Sequence, residues 1–101
     1  MTEDGRQPRR KPRVRRHRIA IGNRRGLHAR AAALFVKTAS AFDAEVTVRK
    51  DSDTVSGISI MGLMMLAAGH GSEITLIAKG PEAQQAIRAL SALIEANFQE
   101  E

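Results

Sequence analysis

Apolar and polar residues alternate from Arg15 to Ile21, with His17, Ile19 and Ile21 on one side and Arg16, Arg18 and Ala20 on the other. This is the period of a strand, and Gly22-Asn23 ends it. The period then changes. Beyond Gly26 an alanine-rich run sets Ala31, Leu34, Phe35, Thr38 and Ala39 at helical spacing, which predicts an amphipathic helix over residues 29–41. Between Ala44 and Lys50 the residues Val46 and Val48 alternate with Glu45, Thr47 and Arg49. A polar turn at Asp51-Ser52-Asp53 leads into a second short strand at Thr54 to Ser56, giving a hairpin with one solvated face. Ser59 to Leu66 is short, rich in methionine and bounded by Gly57 and by Gly69-His70-Gly71, which suits a helix of about two turns with Ser59 as its N-cap. Glu73 to Lys79 alternates again with Ile74, Leu76 and Ala78 on one side. Gly80-Pro81 then opens a last helix whose stripe runs through Ala83, Ala86, Ile87, Leu90, Leu93, Ile94 and Phe98.

The order β-α-β-β-α-β-α, with one apolar side per strand and two long amphipathic helices, predicts an α+β fold. Its form is an open-faced β-sandwich, a four-stranded antiparallel sheet covered on one face by helices and wet on the other. A chain of 101 residues supports one domain with one compact core. Without cysteine there are no disulfides, thiolate metal sites or cysteine nucleophiles. No apolar run approaches the roughly 18 to 20 residues of a membrane span, and the first residues are charged where a signal peptide would be apolar. The expected setting is therefore cytoplasmic, with no membrane insertion.

The formal charge of +5 changes this picture only at one end. Residues 1–18 carry eight basic side chains against two acidic ones, a balance of +6, and the other 83 residues carry eight against nine, a balance of −1. Residues 1–14 thus read as a basic, disordered arm and residues 15–101 as the domain. Such an arm can touch phosphates or an acidic partner, although a short basic terminus is more often only a solvated tail, and nucleic acid is not expected as a partner.

Three places carry chemistry. In Arg25-Gly26-Leu27-His28-Ala29-Arg30 a histidine sits immediately before the first helix, beside unpaired amides and the positive end of the helix dipole, with Arg30 as a charged fork for phosphate oxygens. An imidazole there can serve as a nucleophile that carries a phosphoryl group, but the same spacing also describes an exposed capping histidine beside a solvated arginine. Neither His17 nor His70 is placed as a base or metal partner. The second place is the helix of Ile60, Met61, Leu63, Met64, Met65 and Leu66, too apolar for one core face, in which Ile60, Met61 and Met64 suit docking and Leu63 and Leu66 suit the core. The third is Ser59, which reads either as a plain N-cap or as a site of modification.

The segment Gly26-Leu27-His28-Ala29-Arg30-Ala31-Ala32, followed some thirty residues later by Ser59-Ile60-Met61-Gly62-Leu63-Met64, resembles the histidine-containing phosphocarrier (HPr) family of the bacterial phosphoenolpyruvate-dependent phosphotransferase system. The resemblance spans residues 15–98. It implies a carrier without turnover of its own, in which Nδ1 of His28 receives a phosphoryl group from enzyme I and passes it to an EIIA-type domain. On the same resemblance Arg30 stabilises the phosphate, Arg25, Leu27, Ile60, Met61 and Met64 meet partners, and Ser59 is the target of an HPr kinase/phosphorylase. No cofactor or metal is implied, and there is no Walker-type glycine loop. The family's usual proline is replaced here by Ala31, which keeps an extra N–H at the start of the helix. The resemblance is silent on the basic arm and on whether the carrier serves sugar import or a regulatory, nitrogen-type branch. The other class of function left open is a binding or regulatory module acting through the arm or the methionine-rich patch.

Overall fold

The computed structural model describes residues 13–100. Strand β1 (Val14–Ala20) leads through a loop to helix α1 (Ala29–Ala39). A hairpin of β2 (Glu45–Lys50) and β3 (Asp53–Ser56) follows, then the short α2 (Ile60–Met65), β4 (Glu73–Lys79) and α3 (Ala83–Glu95). All pairings are antiparallel and the strand order is β1-β4-β2-β3. The basic arm expected over residues 1–14 lies outside the described residues except at its end. There Val14 already pairs with Lys79 and the Arg13 carbonyl accepts from the Gly80 amide at 2.8 Å, so the ordered domain begins earlier than the charge pattern suggests.

The period-two pattern selects the buried side. Ile74, Leu76 and Ala78 of β4 stand opposite Ile19, His17 and Arg15 of β1, and Ala78 and Leu76 also face Val46 and Val48 of β2. These valines and the three β4 residues are buried under the helices, where Phe35 of α1, Leu63 of α2 and Leu90 and Ile94 of α3 complete one apolar core. At 25 cal/mol per Å² of apolar surface, each such side chain contributes roughly 1.5–3 kcal/mol on burial. Among the described residues no helix covers the other face of the sheet. Among the described residues no helix is long and apolar enough to cross a membrane.

Two helix ends depart from the sequence pattern. The first helix stops at Ala39, with the Ser40 amide bonded to Val36 O, rather than running to residue 41. The last helix starts at Ala83, because Gly80, Pro81 and Glu82 are spent on a turn in which the Glu82 amide donates to Asp43 O at 3.0 Å and Glu82 Oε1 accepts from the Asp43 amide at 2.6 Å. Phe98 joins the core as the stripe implies, yet not as part of that helix. Asn97, Phe98 and Gln99 all have positive φ (55°, 54° and 60°), so the chain reverses its hand for one turn, buries the Phe98 ring and turns Glu100 back over the molecule. Asparagine adopts this region readily, whereas phenylalanine and glutamine are strained there by about 1–2 kcal/mol each. Replacing Gln99 by glycine relieves the strain at an exposed position and is expected to raise stability by about 0.5–1 kcal/mol net, measured by urea denaturation.

Candidate functional site

The loop between β1 and α1 is pinned from both sides. Asn23 is buried, and its Nδ2 donates to Gly26 O at 2.9 Å while the Gly26 amide donates to Asn23 O at 3.3 Å. Gly26 has φ +66°, and a Cβ on it would collide with Ala68 O and lie 2.7 Å from Gly69 Cα, so only glycine allows the loop to lie against the segment that follows α2. The Leu27 amide then donates to Ala68 O at 2.9 Å. His28 follows with φ −78° and ψ 177°, extended backbone immediately before the helix, and its carbonyl accepts the first helical bond from the Ala32 amide at 2.8 Å. His28 is thus the N-cap by backbone, but its side chain makes no capping bond and the first turn contains no acid. The amides of Ala29, Arg30 and Ala31 precede the first intrahelical donor, the Ala32 amide, and lie at the end of the helix where negative charge is favoured.

The imidazole is held by a residue 72 positions away. Its Nε2 lies 3.0 Å from Glu100 Oε2, and the same oxygen accepts from Asn23 Nδ2 at 3.2 Å. Side-chain exposure is 18% for His28 and 20% for Glu100, so the pair is shielded but reachable. A carboxylate can only accept, which places the ring proton on Nε2 and leaves the Nδ1 lone pair available. Burial pushes the Glu100 carboxyl up, but hydrogen bonds from Asn23, His28 and the Arg25 amide outweigh that and hold it below the ordinary value. Arg25 and Arg30, both exposed, border a cleft of about 40 Å³ together with His28, Ala31, Phe98 and Glu100. The cleft thus lies at the N-terminus of α1, bordered by two arginines and the histidine.

Ser59 has extended backbone and its Oγ accepts from the Gly62 amide at 2.9 Å, the N-cap bond expected of it. On α2 the side chains of Ile60, Met61 and Met64 are exposed and Leu63 and Leu66 buried. Ile58 and Met65 extend the exposed apolar surface beyond the residues expected. Leu27 corrects an expectation. At 5% exposure it belongs to the core and cannot present its side chain to a partner, because the Gly26 turn and the bond to Ala68 O direct it inward. His17 is exposed on β1 and His70 is exposed between α2 and β4. Among the described residues no three His, Cys, Asp or Glu side chains gather as a metal site.

Two members of the site escaped the sequence reading. Asn23 was legible only as a turn residue, and its burial follows from the loop closing over it. Nothing in local spacing links Glu100 to His28, since the link is made by the left-handed turn at residues 97–99.

Residues 15–96 match the family model described as PTS HPr component phosphorylation site. The chain is 51% identical over 82 residues to the phosphocarrier protein HPr of Neisseria meningitidis, covering 81% of this chain and 92% of that one. It is 45% identical over 82 residues to the phosphocarrier protein NPr of Shewanella violacea, with 81% and 90% covered. Among solved structures it is similar to the crystal structure of HPr-C-His from Thermoanaerobacter tengcongensis, with a TM-score of 0.83 and 47% identity over 86% of this chain and 98% of that one. The open-faced sandwich is that of a phosphocarrier, which ferries a group and does not turn over a substrate. The chain belongs to the HPr family of the phosphotransferase system.

The lowered Glu100 carboxyl ties stability to pH with a definite sign. The group contributes stability that is fully present above the ordinary carboxyl value of 4.5 and is lost as pH falls through its lower folded value. Glu100→Gln is therefore expected to lower the thermal midpoint at pH 7 and to converge with the parent protein as pH is taken below 4.5, measured by circular dichroism melts across that range.

Proposed function

We propose that this carrier accepts a phosphoryl group on Nδ1 of His28 from enzyme I and delivers it to an EIIA-type domain in the cytoplasm. The observation that carries this reading is the hydrogen bond between Nε2 and Glu100, which reserves the opposite ring nitrogen for phosphorus. The Nδ1 lone pair forms the new P–N bond as the bond between phosphorus and the donor breaks, and that electron pair leaves with the donor. The transition state is loose, so positioning and charge neutralisation matter more than covalent assistance. The amides of Ala29, Arg30 and Ala31 and the guanidinium groups of Arg30 and Arg25 supply that neutralisation.

Delivery reverses these steps. While Nε2 keeps its proton, the imidazole departs as a neutral ring, a good leaving group, and the Glu100 carboxylate favours that protonation state. The same carboxylate also brings negative charge toward the phosphoryl group, which keeps the attachment from becoming too stable to hand on.

Docking is assigned to Ile60, Met61 and Met64 with Arg25, a flexible apolar surface beside cationic side chains that suits partners of more than one shape. Ser59 is the regulatory residue of this reading. Phosphorylation by an HPr kinase/phosphorylase would leave the modified oxygen at the start of α2, where negative charge is tolerated, while placing about two negative charges in the docking surface.

With phosphoenolpyruvate and enzyme I, acid-labile phosphate is expected on His28 and none on His28→Ala; labelling that survives in His28→Ala would refute the assignment. Arg30→Ala is expected to slow phosphorylation about a hundredfold while leaving the melting temperature within a degree or two, measured by rapid-quench labelling. Ser59→Asp is expected to slow transfer roughly tenfold by disfavouring docking, with salt dependence of the apparent second-order rate as the readout.

A further inference from the structure

The sulfur of this chain is concentrated on one helix. There is no cysteine, and of the four methionines Met61, Met64 and Met65 all belong to α2, while Met1 lies outside the described residues. Tryptophan and tyrosine are absent as well. A mild two-electron oxidant such as a peroxide, which attacks thiols and thioethers first, therefore finds its targets gathered on α2.

All three thioethers are open to solvent, with exposures of 71% for Met61, 42% for Met64 and 76% for Met65. Met61 precedes Met64 by three positions and Met65 by four, the spacings that bring side chains together on one side of a helix. The same helix turns Leu63 into the core, and Leu66 at its end is buried too. Among the described residues the buried apolar core is made of Leu, Ile, Val, Phe and Ala, with no methionine in it. Oxidation can thus change the outer side of α2 and leave the packing beneath it intact. The N-cap bond from the Gly62 amide to Ser59 Oγ involves no thioether and stays in place.

What the oxidation changes is the character of the surface. A thioether is soft and apolar and adapts to an apolar partner. A sulfoxide carries a polar S–O bond whose oxygen requires a hydrogen bond, and pressing it against an apolar partner leaves that oxygen unpaired. Three sulfoxides beside the exposed Ile58 and Ile60 would break up the apolar patch from which docking draws its affinity. Leucine offers a similar apolar volume that a peroxide does not oxidise, which makes it the natural control.

We propose, resting on the docking role given to α2 above, that Met61, Met64 and Met65 form a reversible redox site at which a peroxide weakens the carrier's hold on its phosphotransfer partners. At each residue a sulfur lone pair attacks one oxygen of the peroxide, and the S–O bond forms as the O–O bond breaks. The sulfur is oxidised by two electrons and the peroxide reduced by two. The proton on the attacked oxygen passes to the departing one, which leaves as water or, from an organic peroxide, as an alcohol. Reversal belongs to thiol-dependent methionine sulfoxide reductases, one for each sulfoxide epimer, which return two electrons and release the oxygen as water.

The test exposes the full chain to hydrogen peroxide, removes the excess with catalase, and follows enzyme I-dependent labelling of His28 over a range of carrier concentrations. Peptide mapping by mass spectrometry is expected to find one added oxygen on each of Met61, Met64 and Met65. KM for the carrier is expected to rise about tenfold while kcat stays within about twofold, the pattern of lost docking rather than lost chemistry. Circular dichroism melts are expected to keep a cooperative transition, and treatment with both reductases and dithiothreitol to restore the original KM. The triple substitution Met61→Leu, Met64→Leu and Met65→Leu is compared with its own untreated sample, whatever its starting rate, and its KM is expected to stay within about twofold after peroxide. A KM unmoved by the three sulfoxides would overturn the proposal. So would sulfurs that resist oxidation, an equal effect of peroxide on the leucine triple, or a rise in KM accompanied by loss of the melting transition. Absence of label on His28 in the untreated protein would instead fell the phosphocarrier reading, and the redox role with it.

Discussion

The placement of the His28 ring depends on one backbone event, the passage from extended to helical conformation within a single residue. Because ψ of His28 is 177° and Ala29 is already helical, the ring leaves the chain beside three amides that have no partner in the helix. A shift of one residue either way would place the histidine inside α1, with its ring against the preceding turn, or out in the loop without amide donors. The neighbouring contacts serve to fix that passage. Gly26 permits the close approach to Ala68, the Asn23 amide group ties off the Gly26 carbonyl, and Leu27 anchors the loop in the core.

A carrier has to bind phosphorus well enough to receive it and poorly enough to release it, and under the function proposed above the site divides these demands between groups of opposite sign. Helix amides and arginines favour arrival. Glu100, reached through Nε2, favours an imidazole that keeps its proton and departs easily. The apolar surface of α2 is linked to this chemistry by covalent continuity, since the segment that leaves the helix contains the Ala68 carbonyl that holds Leu27.

Much of this was legible in residue order. Period-two and helical spacing gave all seven main elements in sequence, and Ser59 as cap follows from its hydroxyl standing three residues before Gly62. His28 and Arg30 were visible because helix ends have a local signature. What residue order concealed was non-local or reversed in hand. Leu27 looked like a loop residue available to partners because burial of a loop side chain depends on what packs beneath it. The helical stripe correctly predicted that Phe98 is buried and gave no sign that the chain would turn left-handed to bury it. Glu100 was hidden for the same reason.

That left-handed turn has a consequence for motion. The bond between His28 and Glu100 closes a loop of 72 residues, yet on the Glu100 side it hangs from a strained turn beyond α3 rather than from the sheet or a long helix. Segments of this kind open locally at a free-energy cost well below that of global unfolding. Opening of that turn withdraws the carboxylate and releases the imidazole from its hydrogen-bond partner, while the backbone of His28 stays pinned through its amide bond to Gly26 O and the bond from the Ala32 amide. The backbone of His28 is the pinned side of the pair, and the segment that carries Glu100 is the strained one.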